Sequence, residues 1–76
     1  MNKSKKGKEM PEEVVKLLNS IKWEPKYGAF QLSPDKTYAR HEKFKKDLDV
    51  PRICYEVERA WHLYPYAEDE LYYYFH

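Results

Sequence analysis

Apolar residues recur with helical spacing in two stretches of this chain. In residues 11–22, PEEVVKLLNSIK, the side chains of Val14, Leu17, Leu18 and Ile21 fall at i, i+3, i+4 and i+7. That spacing gathers them into one stripe of an α-helix. Pro11 suits the first helical position, and Glu12 and Glu13 suit the positive end of the helix dipole. Pro25 cannot continue the helix. In residues 51–64, PRICYEVERAWHLY, Ile53, Val57, Ala60, Trp61 and Tyr64 again follow helical spacing, with Pro51 at the start and Pro65 as the stop. Ile53, Tyr55, Val57, Trp61 and Leu63 also tolerate a strand, but the Glu-Val-Glu-Arg-Ala stretch favours a helix.

Three further segments are less regular. Pro25 and Gly28 interrupt residues 23–33, where Trp23, Tyr27, Phe30 and Leu32 are large and apolar. A short strand or ordered loop fits, with Trp23, Phe30 and Leu32 turned to the core. Residues 33–48 admit two readings. Ser33 as N-cap, Pro34 at N1 and Asp35 at N2 start a helix that aligns Thr37, His41, Phe44 and Leu48. Ser-Pro-Asp-Lys is equally a type I turn between two hairpin strands. The charged run after Tyr38 alternates poorly, which favours the helix. Residues 67–76 read as a short helix with acids in its first turn, or as a terminal strand, since Leu71 to Phe75 are all apolar or aromatic.

The expectation is therefore a mainly α fold: a small single domain of three to four short helices, with a short extended segment around 23–32. The alternative is α+β, with a hairpin over 27–44 and a C-terminal strand. The expected core is Val14, Leu17, Leu18, Ile21, Trp23, Phe30, Phe44, Leu48, Ile53, Val57 and Trp61. Residues 1–9 form a flexible basic tail and residues 10–76 the domain.

Length and composition narrow the class. Seventy-six residues allow one domain and exclude large two-domain enzymes. Such a chain buries only about 60% of its unfolded surface, so its stability is marginal. Cys54 is the only cysteine, which excludes an internal disulfide and suits a reducing cytoplasm. The N-terminal stretch lacks the apolar region of a secretory signal. No apolar run approaches the ~20 residues of a membrane helix. Net charge is only +1, but it is split. Residues 1–46 carry twelve Lys or Arg and six acids, a net of +6; residues 47–76 carry two Arg and seven acids, a net of −5. Such a split points to partners, or to attraction between the halves within the fold or between two copies of the chain.

Catalytic chemistry finds no foothold. His41, His62 and His76 show no i, i+3 or i+4 pair that would place two metal ligands on one helix face. Cys54 beside a distant histidine is a weak signal, because a small buried Cys is far commoner than a nucleophile. Ser4, Ser20 and Ser33 lack a nucleophile-elbow context, and Gly7 and Gly28 stand alone rather than in a phosphate-binding loop. The expected protein is not an enzyme and has neither cofactor nor metal.

Two binding surfaces suggest themselves. Tyr64, Tyr66, Tyr72 and Tyr73 crowd the last thirteen residues beside Glu68, Asp69 and Glu70. Tyrosine combines a large contact area with a hydroxyl and is enriched where proteins bind proteins. Those seven residues are the expected contact surface of a small protein that modulates or inhibits a partner bearing a basic patch. Mimicry of nucleic acid is weakened by the near-neutral net charge. The alternative is a nucleic-acid-binding regulator with a helix-turn-helix-like hairpin over 37–62. It would use Lys3, Lys5, Lys6, Arg40, Lys43, Lys45 and Lys46 on phosphates. Glu56 and Glu58 on the supposed recognition helix argue against that surface.

Overall fold

The computed structural model describes residues 10–44 and 46–76. Along them run helix α1 (Glu12–Ser20), strands β1 (Phe30–Leu32) and β2 (Ala39–Glu42), helix α2 (Val50–Trp61), and strands β3 (Pro65–Glu68) and β4 (Tyr72–Phe75). The strands form one antiparallel sheet in the order β1-β2-β4-β3. The fold is thus α+β, and the mainly helical expectation is corrected. Only two helices occur among the described residues, and both 33–48 and 67–76 are built on strands and turns. The helix-turn-helix outline over 37–62 falls with it, because its first half is strand β2.

The misread segment has a simple local cause. Ser33, Pro34 and Asp35, the expected helix start, close a turn instead. The Lys36 amide donates to the Ser33 carbonyl at 2.9 Å, and Lys36 itself is left-handed with φ 64. The Ser33 hydroxyl donates to Asp35 at 2.9 Å and accepts the amides of Thr37 and Tyr38 at 3.1 and 3.0 Å. Short polar side chains offer the same bonds to a turn as to a helix N-terminus.

The two helices follow their sequence signals. α1 begins after Pro11, carries Glu12 and Glu13 in its first turn, and ends where Ile21 turns extended. α2 is capped by Asp49, whose carboxylate accepts the Arg52 amide at 3.2 Å. It stops at His62, a left-handed residue whose amide closes on the Glu58 carbonyl at 2.8 Å.

Strand alternation sorts the sheet into two faces. Ala39 pairs with Phe75 and His41 with Tyr73, and this face receives α2. Its core is Phe30, Leu32, Ala39, Val57, Leu63 and Phe75, with Ile53, Cys54, Trp61 and Tyr73 packed against it. Phe30 stacks on Trp61 with ring centroids 4.8 Å apart. Two members of the expected core are displaced to solvent: Phe44 is 77% exposed and Leu17 38%. Ala39 and Phe75, paired across β2 and β4 under α2, and Leu63, in the connection after α2, fill the core instead.

Both sheet edges are guarded. On β1, the Glu24 amide donates to the Leu32 carbonyl at 2.8 Å, and Tyr27 and Phe30 exchange backbone bonds. On β3, Pro65 offers no N–H and the register shifts between Pro65 and Ala67. Proline and bulges on an edge strand discourage a further strand from pairing.

Candidate functional site

The face opposite α2 carries Gln31, Arg40, Glu42, Tyr72 and Tyr74. Trp23, from the segment after α1, lies against it, 6.3 Å from the Tyr74 ring. Arg40 sits at its centre. The guanidinium carbon is 4.6 Å from the Trp23 ring centroid and 4.0 Å from that of Tyr72. Its Nε donates to Gln31 Oε1 at 2.6 Å. A planar cation between two rings satisfies their electron-rich faces while keeping its own N–H groups in plane for hydrogen bonds.

Asp69 organises the β3–β4 turn. Its Oδ1 accepts the amides of Leu71 and Tyr72, each at 2.8 Å, and its Oδ2 accepts the Tyr74 hydroxyl at 2.8 Å. Burial alone would raise this carboxyl, but the bonds from Tyr74, Leu71 and Tyr72 and the nearby Lys43 charge hold it below the usual aspartate range. Conversely the Tyr74 phenol is pushed up to about 12, first by burial and then by the Asp69 carboxylate. Lys43 completes the arrangement. Its ammonium donates to Glu68 at 2.6 Å and to the Asp69 carbonyl at 2.8 Å, and lies 4.9 Å from the Tyr73 ring centroid.

The seven residues of the tyrosine-rich end are consequently divided. Tyr73 packs against the α2-side core, and Tyr72 belongs to the Arg40 sandwich on the other face. Glu68 and Asp69 are engaged within the fold, while Glu70 is exposed in the turn. Tyr64 and Tyr66 stand at the opposite end of the hairpin and are exposed, at 49% and 38%. There Tyr66 joins two residues that sequence reasoning left out of the surface. Tyr38 stacks on His76 with centroids 4.7 Å apart and planes 17° apart. Tyr66 tilts against both, 5.0 Å from His76 and 5.9 Å from Tyr38. The backbones of Tyr64 and His76 exchange two hydrogen bonds, which sets their side chains on one face of the ladder. Only the pairing of β2 with β4 brings Tyr38 here, so no local pattern in the sequence could have shown it.

The basic candidates are also dispersed. Arg40 and Lys43 are held as described, Lys46 is exposed in the turn before α2, and Lys3, Lys5, Lys6 and Lys45, like the basic tail 1–9, lie outside the described residues.

Cys54 is free and half-buried, and burial raises its thiol pKa, which favours the unreactive protonated form. Among the described residues, no cluster of His, Cys, Asp and Glu could hold a metal ion, and no helix is long and apolar enough to cross a membrane. Compared with known proteins, the chain matches no family model, no curated protein and no solved structure.

Proposed function

We propose that this chain is a non-catalytic binding protein that modulates or inhibits a protein partner. Its contact surface is the sheet end formed by Tyr64, Tyr66, Tyr38 and His76. The observation that carries this reading is the exposure of Tyr66 on the edge strand β3 and of Tyr64 just before it, beside rings that the α2-side core does not use. Large rings kept in solvent by a domain short of core material suit an interface anchor. The acids contribute less to steering than the tyrosines do to anchoring, because Glu68 and Asp69 serve the fold. The single free Cys54 suits a reducing cytoplasm as the place of action.

Nucleic-acid binding has less support. Arg40 is sandwiched between rings and Lys43 is ion-paired, which leaves Lys46 as the exposed member of that set among the described residues. Self-association through strand pairing is likewise weakened by the guarded edges. The test is a pull-down from native cell extract with the wild-type chain and a Tyr64→Ala, Tyr66→Ala double variant. A partner retained by the wild type and lost by the folded variant is expected. Equal capture by both would remove this surface from consideration.

A further inference from the structure

The two helices are held to the sheet in different ways. α2 puts Ile53, Cys54, Val57 and Trp61 into or against the core, and Trp61 stacks on Phe30. Its first turn is capped by the Asp49 carboxylate. α1 contributes no residue to that core. Its last turn lies near Tyr38 instead. Tyr38 precedes Ala39, which faces α2, so alternation turns Tyr38 to the side of Arg40. Leu18 is the one buried residue of α1, at 3% exposed, while Leu17 on the same stripe is 38% exposed.

Among the described residues, no polar side-chain contact ties α1 to the rest of the molecule. Pro11 supplies no side-chain cap. The Ser20 hydroxyl donates to the Leu17 carbonyl at 2.7 Å, inside the helix. The three ion pairs all lie elsewhere. Packing at the end of the helix is incomplete as well. Leu17, Ser20 and Ile21 face Pro34, Thr37 and Tyr38 across an open cleft of about 410 Å³. The chain is fastened only after the helix. Trp23 packs on Arg40 and Tyr74, the Glu24 amide donates to the Leu32 carbonyl at 2.8 Å, and the Glu24 carbonyl accepts the Gln31 amide group. Between the helix and this fastening stand only Ile21, already extended, and Lys22.

We infer that α1 is a strap that detaches from the sheet as a unit, hinged at Ile21 and Lys22, while the sheet, α2 and the Trp23–Arg40 contact stay folded. A helix of nine residues does not persist alone in water, so the released strap melts. Its release uncovers Leu18 and Ile21 and opens the cleft wall at Pro34 and Tyr38. Tyr38 also stacks on His76, so the opening reaches the aromatic end of the sheet. The device does not depend on what that end binds.

Native-state hydrogen exchange of the full chain, followed by NMR at low urea concentrations, tests the strap. After correction for intrinsic rates, the amides from Lys16 to Ser20 should exchange about thirtyfold or more faster than those in the middle of α2 and in β4, with one common, shallow urea dependence. Protection equal to that of the sheet overturns the inference. So does a smooth gradient of rates along α1, which is fraying rather than release of a unit. Leu18→Ser should abolish the protection of α1, leave the resonances of β2 and β4 dispersed, and move the ring resonances of Tyr38 and His76. Global unfolding of this variant overturns the strap, because α1 would then belong to the cooperative core. Ser20→Leu places apolar atoms in the cleft without touching the 33–38 turn, and should slow exchange in α1 about threefold to tenfold. Unchanged exchange in that variant also counts as refutation.

Discussion

Arg40 decides whether the basic residues of this chain serve the fold or a ligand. In the structure it makes two ring contacts, at 4.6 and 4.0 Å, and one short bond to Gln31. A ring contact of a partly exposed cation contributes about 0.5–1 kcal/mol. A hydrogen bond from a charged donor contributes about 1.5–3 kcal/mol. Arg40→Met, which keeps the stem and removes the guanidinium, should therefore cost about 2.5–5 kcal/mol. Arg40→Lys keeps the charge but loses the planar stack and the Nε bond, so it should still cost about 1.5–3 kcal/mol. A domain of this length is stabilised by only about 4–11 kcal/mol, so both losses are large fractions of the whole. Urea unfolding followed by tryptophan fluorescence measures them, since Trp23 and Trp61 report on the two faces of the sheet. A midpoint that falls with an unchanged slope is the expected result. If both variants stay within about 0.5 kcal/mol of wild type, as ordinary surface substitutions do, the sandwich is not a structural pin and Arg40 is available for a phosphate.

Two further outcomes follow from the polar interior. Ser33 is 2% exposed and its hydroxyl accepts two amides, so Ser33→Ala should destabilise by about 1–3 kcal/mol in the same urea assay; a loss below about 0.5 kcal/mol would show that the turn closes without it. The Tyr74 phenol has a folded pKa of about 12 against an ordinary value of 10, so its contribution is complete below pH 10 and disappears as the pH climbs toward 12. That contribution is on the order of 2 kcal/mol, and Tyr74→Phe should flatten the corresponding part of the alkaline stability curve. An identical alkaline loss in Tyr74→Phe would place the titrating group elsewhere.

The helices were readable in the sequence because each carries its apolar stripe on a single element. Val14, Leu18 and Ile21, and likewise Ile53, Val57 and Trp61, are set by local spacing, and Pro51 marks the start of the second. The strands were not readable in the same way. Ser33-Pro-Asp bonds as well to a turn as to a helix start. The Thr37, His41, Phe44, Leu48 stripe is a coincidence of period, since Phe44 ends 77% exposed. The run from Leu71 to Phe75 did carry a usable signal. A strand with neighbours on both sides and packing on both faces needs large side chains at consecutive positions. Tyr73 and Phe75 face α2 while Tyr72 and Tyr74 face Arg40 and Trp23. The tyrosine-rich end looked like one surface because its members are consecutive in sequence. Alternation split it, and pairing replaced half of it with Tyr38 and His76.

β4 comes last of the four strands along the chain, yet it lies inside the sheet, between β2 and β3. During synthesis, then, β2 has no neighbour on its inner side, and β3 has no partner at all, until residues 72–75 have left the ribosome. Sheet closure is a long-range event that depends on the final strand, and folding should be limited by that closure rather than by the helices. A chain truncated before Tyr72 therefore lacks the strand that joins β2 to β3 and should be aggregation-prone.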